Sequence, residues 1–443
     1  MSLAAIVLAA GLGTRMKSTR PKVLHPLAGR PLLAHLLDNL GSLNPERVAV
    51  VIGPDQDAVA RLAAPYQTVV QAERLGTAHA ALQAKPVVDG FQGDVLILFG
   101  DTPLVTSETM SKLVSRRREA DDPAVVVLGF CPEGGGDYGR LVMGETGLER
   151  IVEVKDATPA ERAIPWCNSG VMAVDGRVLI PLLERIGNQN AKGEYYLTDL
   201  VRLAREAGRV CAMVEGGAQE LLGINSRAEL AEAETILQTR LREQAMAGGA
   251  TLTAPETVFF SWDTRLGQDV TVGPNVVFGP GVVVEDEVDI RSFCHLEGCR
   301  IARGAIIGPF ARLRPGADIG PSAHIGNFVE IKEAVVEEGA KVNHLTYVGD
   351  ARVGAKANIG AGTITCNYDG FGKYLTDIGK GAFIGSNSAL VAPVRIGDGA
   401  IVGAGSVVTR DVPADALTIA RGEQRDIEGW AARFRENQSK KKG

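Results

Sequence analysis

The chain is poor in aromatic residues, 5% of its 443 positions, and carries only six cysteines, at 131, 167, 211, 294, 299 and 366. None of these makes a CxxC pair and no histidines stand at zinc spacing, so neither a zinc module nor a disulfide framework is expected, and reduced thiols in a cytoplasmic setting fit best. Positive charge is not in excess. With 47 Lys and Arg against 53 Asp and Glu the net charge is −6, which removes any general electrostatic reason to bind nucleic acid. The basic cluster Lys440, Lys441, Lys442 reads as a solvated terminus. No apolar run is long enough to insert in a membrane: the opening LAAIVLAAG lacks a preceding basic region and is too short for a spanning segment or a signal core, so it reads as a buried strand. The phosphate loop GxxxxGK[ST] is missing as well.

Aliphatic residues and glycine are abundant, with 53 glycines in a chain that is 45% hydrophobic and 23% charged. A chain this long outgrows a single core, so at least two domains are expected. Six residues separate Ile307, Leu313, Ile319, Ile325 and Ile331, and the same spacing returns at Ile378, Ile384, Leu390, Ile396, Val402 and Val408. That period suits neither a lone helix nor a single alternating strand. It suits short parallel strands stacked into a prism-shaped β-solenoid, one inward aliphatic per side of each coil. Val270, Val276, Val282 and Val288 read as earlier members, with Cys294 and Arg300 breaking the series before Ile301 restarts it; further slips fall between Ile331 and Val336 and between Val348 and Val353. Residues 360–377, GAGTITCNYDGFGKYLTD, hold no hexad and are expected to leave the coil as a surface loop that carries function.

The N-terminal half has no hexads. Apolar runs Ala4 to Ala10, Val48 to Ile52, Val95 to Phe99 and Val125 to Phe130 alternate with helical stretches Leu32 to Leu40, Thr77 to Gln83 and Ser107 to Ala120. Continuous apolar strands between helices predict a mostly parallel sheet covered on both faces, with ligands beyond the carboxyl ends of the strands. Between the halves, Ser226 with Glu229 makes a capping box and Leu230, Ala233, Ile236, Leu237 and Leu241 form a helical stripe, so a linking helix over 226–249 should join domains at 1–225 and 250–443.

The first strand runs into Gly11, Leu12, Gly13, Thr14 and Arg15, where glycines let backbone N–H groups approach a phosphate. Met16 replaces the third glycine of a dinucleotide fingerprint, which disfavours nicotinamide and flavin. LAAGxGTRM followed by Pro21-Lys22 resembles the signature of sugar-1-phosphate nucleotidylyltransferases. Gly100-Asp101 sets a carboxylate at the ligand-binding edge, and Asn225 offers an amide oxygen. Gln71-Ala72-Glu73, Leu75-Gly76-Thr77-Ala78, Tyr138-Gly139-Arg140, Ile151-Val152-Glu153, Asn168-Ser169-Gly170 and Gly193 to Asp199 follow in order. In the solenoid, Arg312 to Gly316, Asn327 to Lys332, Asn343-His344-Leu345-Thr346-Tyr347 and Thr365 to Asp369 contain polar groups that coil packing does not require. Together these segments resemble, over essentially the whole chain, the bacterial bifunctional enzyme family that makes UDP-N-acetylglucosamine, a cell-wall precursor.

The resemblance implies an α/β Rossmann-like nucleotidyltransferase domain joined by a long helix to a left-handed parallel β-helix of hexapeptide repeats, assembled as a homotrimer in the cytoplasm. It implies acetyl transfer from acetyl-CoA to glucosamine-1-phosphate, then uridylyl transfer from UTP to N-acetylglucosamine-1-phosphate with loss of pyrophosphate. By the same resemblance Asp101 and Asn225 hold Mg²⁺, while Arg15 and Lys22 neutralise the departing pyrophosphate. Leu8, Ala9, Ala10, Gly11, Gly13, Phe99 and Gly100 line the nucleotide site; Gln71, Gly76 and Thr77 read the uracil; Gly139, Glu153 and Asn168 hold the sugar. His344 is the general base of acetyl transfer, with Arg314, Lys332, Tyr347 and Asn358 on the sugar phosphate and Ala361, Asn367, Tyr368, Ser386, Ala404 and Arg421 on acetyl-CoA. Phe99 stands where the family has Tyr, Leu12 where it often has a cation and Ser169 where it has Thr. Two rivals remain: a nucleotidylyltransferase of other specificity with an inert helix, and a nucleotide-sugar sensor without turnover.

Overall fold

The structure, a computed structural model, describes residues 2–132 and 136–441. Strand Leu3–Leu8, buried throughout, pairs in parallel with Arg47–Ile52 on one side and Asp94–Phe99 on the other, and Gln67–Val70 extends the sheet beyond Arg47–Ile52. Past Asp94–Phe99 comes Cys167–Asp175, antiparallel to both its neighbours, then Val125–Phe130 and, parallel to it, Cys211–Glu215. Leu33, Leu36, Leu40, Met110 and Leu113 of helices Leu32–Gly41 and Ser107–Arg117 cover one face; Ala81, Leu179, Leu183 and Leu200 of three further helices cover the other. Two-sided cover is why these strands are continuously apolar.

Val125–Phe130 lies where its apolar run predicts. The first strand ends at Leu8; Ala9 makes one more bond across to the Val51 carbonyl before the chain turns into the glycine loop. Cys167–Asp175, the exposed edge strand Gln67–Val70, Cys211–Glu215 and the hairpin Arg140–Gly144/Gly147–Val152 are additions to the expected set.

Helix Arg227–Ala247 opens with the expected reciprocal box: Glu229 N–H donates to Ser226 Oγ at 3.3 Å and Ser226 N–H to Glu229 Oε2 at 2.7 Å. The chain divides into two compact units, Met1–Arg240 and Leu241–Gly443, so the division falls within this helix. In the first unit Leu230, Ala233, Ile236 and Leu237 cover Leu27, Leu32, Leu104 and Ile224; in the second, Leu241 and Ala245 pack on the solenoid core.

The second unit stacks strands of mostly two or three residues in parallel, Thr271 beside Asp289 and Val277 beside His295, a coil of 18 residues. The inward column that holds Ile307 continues through Ile301, Leu296, Ile290, Val284, Phe278 and Val272, all buried. This corrects the expected start of the series. Val270, Val276, Val282 and Val288 belong to a second inward series, two residues earlier than the first, which Cys294, Cys299, Ala305 and Ala311 carry on with the same slip. Alternation along a strand turns residues i and i+2 inward, so two hexad series coexist. The real slip is between Leu296 and Ile301, and it shortens that coil to 17 residues, Val283 beside Arg300. The slips after Ile331 and Val348 do the same at Glu330 beside Tyr347 and Val335 beside Arg352. Across the excursion the coil lengthens to 25 residues, Asn358 beside Phe383, yet Ile364–Cys366 and Thr376–Ile378 remain in the coil, so the loop proper is 367–375.

One corner recurs in the left-handed backbone region: Phe293 (φ 64°), Phe310 (57°), Phe328 (55°), Leu345 (50°), Gly362 (76°), Asn387 (54°) and Gly405 (75°). Backbone bonds join successive corners, Phe328 N–H to the Phe310 carbonyl and Gly362 N–H to the Leu345 carbonyl. A different face carries a closed ladder of charge, Arg352 bridging Glu337 at 2.9 Å and Asp377 at 2.6 Å.

Candidate active sites

At the carboxyl edge of the first sheet, Leu8, Ala9, Ala10 and Gly11 follow the central strand, Phe99 and Asp101 follow its neighbour, and Gln71, Gly76 and Thr77 come from the segment after Gln67–Val70. With Lys22 they enclose a cavity of about 220 Å³. A second cavity of about 220 Å³ adjoins it, lined by Gly139, Glu153, Asn168 and Gly170, and Thr77 and Phe99 line both. Two independently glycine-dependent points shape this edge. A Cβ on Gly13 (φ +62°) would lie 2.6 Å from Lys22 Cβ, and one on Gly170 (φ +87°) 2.7 Å from the Phe99 ring. A wider depression, about 980 Å³, opens at the opposite edge around Ser2, Glu46 and Arg116 and holds none of the motif residues.

Lys22, buried although cationic, spans two oxygens from distant parts of the chain: it pairs with Asp101 Oδ2 and donates to Asn225 Oδ1 at 2.9 Å. Asn225 is itself set by its N–H on Glu229 Oε2 (2.7 Å) and its amide on the Gly223 carbonyl (3.1 Å), so the helix cap aims the oxygen. An ammonium lodged between a carboxylate and an amide oxygen marks a place for positive charge with hard oxygen donors, the set that suits Mg²⁺ when substrate phosphates complete it. Among the described residues no cluster of three or more His, Cys, Asp and Glu could hold a metal unaided. Arg15 is exposed on its 3₁₀ turn and Gly11 meets open space, so this loop is open to a ligand. Burial pushes the Glu153 carboxyl above its ordinary range, against the pull of Lys192. Asn168 accepts from Gly170 N–H at 3.0 Å, and the Ser169 hydroxyl donates to the Leu128 carbonyl at 2.7 Å, a bond that a threonine would also make. Arg74 also lines the first cavity, pinned at 3.0 Å to the Ala10 carbonyl. It stands between two quoted motifs, and an isolated arginine there carries no pattern.

On the solenoid, Asn327 and His344 occupy the same corner on successive coils, and Asn327 Oδ1 lies 2.6 Å from His344 Nδ1. An amide oxygen accepts, which assigns the proton to Nδ1 and leaves Nε2 with a lone pair. Ala361, Ser386 and Ala404 continue this corner, each followed by Gly362, Asn387 or Gly405 in the left-handed conformation, so bulk falls away above His344 while Phe293, Phe310 and Phe328 stack below it. Arg421 donates to the Ala404 carbonyl at 2.7 Å. The face that leaves the corner carries Tyr347, Arg314, Lys332 and Asn367: Arg314 donates to Glu330 at 2.8 Å, and Asn367 bonds Asp350 and reaches the Tyr347 hydroxyl at 3.4 Å. Lys373 from the loop stands against Lys332 and holds its ammonium below the ordinary value, a like-charge pair that invites an anion. Lys373 was invisible to periodicity because the loop has none. Tyr368 is exposed, its hydroxyl on the Gly370 carbonyl at 2.7 Å. Asn358 lies on the face entering the corner, beside Lys341, so one chain does not gather all the expected groups around one point.

Residues 5–139 match the MobA-like NTP transferase domain family, and 376–410 match the bacterial transferase hexapeptide family. Over 440 residues the chain is 63% identical to the bifunctional protein GlmU of Paramagnetospirillum magneticum, covering 99% of this chain and 98% of that protein. It is 67% identical over 432 residues to that of Rhodospirillum rubrum, covering 98% and 97%. It is 58% identical over 445 residues to that of Azorhizobium caulinodans, covering 100% and 99%. With two transferase domains, two separate polar centres and end-to-end likeness to these proteins, the chain belongs to the GlmU family of bifunctional enzymes, acting as glucosamine-1-phosphate N-acetyltransferase and UDP-N-acetylglucosamine diphosphorylase.

Proposed function

We propose that uridylyl transfer takes place at the seam of the two sheet-edge cavities. Uridine of UTP lies among Leu8 to Gly11, Gly13, Gln71, Gly76 and Thr77, and the sugar of N-acetylglucosamine-1-phosphate lies on Gly139, Glu153 and Asn168. The sugar phosphate oxygen attacks the α-phosphorus as the bond to the leaving pyrophosphate breaks, and no protein nucleophile is needed. Asp101 and Asn225 would hold Mg²⁺, which supplies charge neutralisation between nucleotide and sugar phosphate. Lys22 and Arg15 take the negative charge of the pyrophosphate, while Phe99 and Gly100 form the floor where the two substrates meet. The observation that carries this reading is the Lys22 ammonium spanning Asp101 and Asn225.

Acetyl transfer is assigned to the corner of His344. Nε2 accepts a proton from the amino group of glucosamine-1-phosphate as its nitrogen attacks the thioester carbonyl of acetyl-CoA; the N–C bond forms, the C–S bond breaks and the thiolate leaves. Arg314 and Lys332 receive the sugar phosphate, Tyr347 and Asn358 the sugar, and Asn367 and Tyr368 the reacting end of CoA, whose chain follows Ala361, Ser386, Ala404 and Arg421. A homotrimer is part of this reading, supported by Asn358 and Tyr347 lying on different faces and by Phe293, Phe310, Phe328 and Leu345 being 52%, 45%, 55% and 61% exposed beside His344. A cytoplasmic location belongs to the same reading, supported by cysteines that are free thiols among the described residues. Among the described residues no helix is long and apolar enough to cross a membrane.

One coupled assay with glucosamine-1-phosphate, acetyl-CoA, UTP and Mg²⁺, scoring acetylated sugar phosphate and pyrophosphate separately, tests both halves. Absence of CoA release with a folded solenoid would leave only a nucleotidylyltransferase carrying an inert helix.

A further inference from the structure

Gln71 is 4% exposed yet lines the first sheet-edge cavity. Its Nε2 lies 3.1 Å from the Gly76 carbonyl and 3.1 Å from His79 Nδ1. A peptide carbonyl can only accept, so the group facing it is the amide NH₂, and its two hydrogens are committed to Gly76 and His79. His79 Nδ1 must then be the unprotonated nitrogen. The other branch of the amide, Oε1, has no partner among the described residues, so Gln71 offers the cavity an acceptor.

His79 is not free to turn away. Helix Thr77–Leu82, which carries it, starts straight after Gly76 (φ +120°), where a Cβ would lie 2.5 Å from the Tyr195 carbonyl oxygen. Thr77 Oγ1 accepts from Leu197 N–H at 3.0 Å, Ala78 N–H donates to the Tyr195 carbonyl at 2.9 Å, and the imidazole lies against the Tyr195 ring at 6.3 Å. Gln83, one turn on and partly exposed, sets its Nε2 3.3 Å from His79 Nε2 and 3.1 Å from the His79 carbonyl; the Nε2 proton that the Gln71 contact requires is met once this amide turns over, exchanging the carbonyl bond for one from the ring to its oxygen.

We propose that His79 is a positioning residue for base selection. As a neutral Nδ1 acceptor it locks the Gln71 amide with Oε1 toward the base, so that the cavity accepts a ring N–H. Uracil has N3–H at that place; cytosine has a lone pair there, and acceptor would meet acceptor with neither bonded. This rests on reading the cavity as the uridine site.

The test compares kcat/KM for UTP and CTP in the full-length enzyme, with calorimetric binding of UTP alongside. His79→Phe keeps a ring but removes the acceptor, and should lower the preference for UTP by about tenfold or more, mainly through KM and UTP affinity. His79→Asn, whose Oδ1 can replace Nδ1, should restore most of it. In a Gln71→Ala background His79→Phe should change the preference no further. Acetyl transfer, measured on the same samples, reports that each variant is folded. A folded His79→Phe enzyme with the wild-type UTP/CTP ratio would overturn the role of His79, whereas an unchanged ratio in Gln71→Ala would overturn the uridine site itself.

Discussion

The two centres of this protein differ in how far one chain can finish them. At the sheet edge, Lys22 and Asp101 side chains are 10% and 18% exposed and Gln71 is nearly buried, because a parallel sheet delivers every strand-end loop to the same edge, where the loops wall one another in. On the solenoid, His344 is exposed and Leu345 and Tyr368 are each 61% exposed. Stacked coils set equivalent residues about 4.8 Å apart in columns, an accurate ruler but a convex surface. One architecture builds a walled pocket from a single chain, whereas the other, in one chain, builds a precise but exposed edge.

The strongest way to break this contrast is to remove one centre and watch the other. Asp101→Ala should reduce uridylyl transfer by about a thousandfold or more while acetyl transfer persists, and His344→Ala should cut acetyl transfer by about a hundredfold to ten-thousandfold while pyrophosphate release persists. A folded variant that loses both would show the centres are coupled. Next in size, Phe310→Glu with Phe328→Glu puts charge into the exposed ladder below His344. Acetyl transfer should fall at least about tenfold, with a smaller assembly by sedimentation, and uridylyl transfer should hold. If acetylation survives in a monomer, one chain suffices.

Smaller effects sharpen the comparison in stability. Ile325→Ala hollows the solenoid core, where Ile325 is fully buried, and should cost about 2–5 kcal/mol, lowering the temperature at which acetyl transfer is lost more than that for uridylyl transfer. Smallest is an alkaline effect common to both units. Burial pushes the thiols of Cys211 and Cys299 up to about 12 and that of Cys294 to about 11, from an ordinary 9.0. A raised pKa means that the unfolded chain loses its thiol protons first, so this stability is complete below pH 9 and declines as pH climbs toward 12. Thermal melts from pH 8 to 11 should show the decline, and replacing Cys211 and Cys299 with Ala should flatten it.

Legibility in the sequence followed the same division. Val125–Phe130 could be read directly because a strand buried on both faces is uniformly apolar. Cys167–Asp175 could not, since its first residues line a cavity and its pairing with Val125–Phe130 shifts register between Asn168 and Met172. The hexads announce the solenoid but conceal that two inward series share the period, so spacing alone puts Val270 to Val288 in the wrong one. Resemblance drew attention to Gln71 and His344 through neighbouring motif residues. Arg74 and His79 stand beside the quoted motifs but outside them, and His79, like His25, His35, His295 and His324, reads from sequence as a structural histidine; only the folded contacts of Arg74 with Ala10 and of His79 with Gln71 single them out, while Lys373 lies in a loop without periodicity.

By itself the amino-acid order determined the coil, through a spacing that buries one aliphatic per side, and the strand-to-glycine turn, through what only glycine tolerates. Tertiary structure alone decided which atoms meet. Lys22 reaches Asn225 across 203 positions of chain, and Asn327 orients His344 from the coil before it. Such meetings depend on strand order and coil length, long-range outcomes of packing that no local pattern encodes.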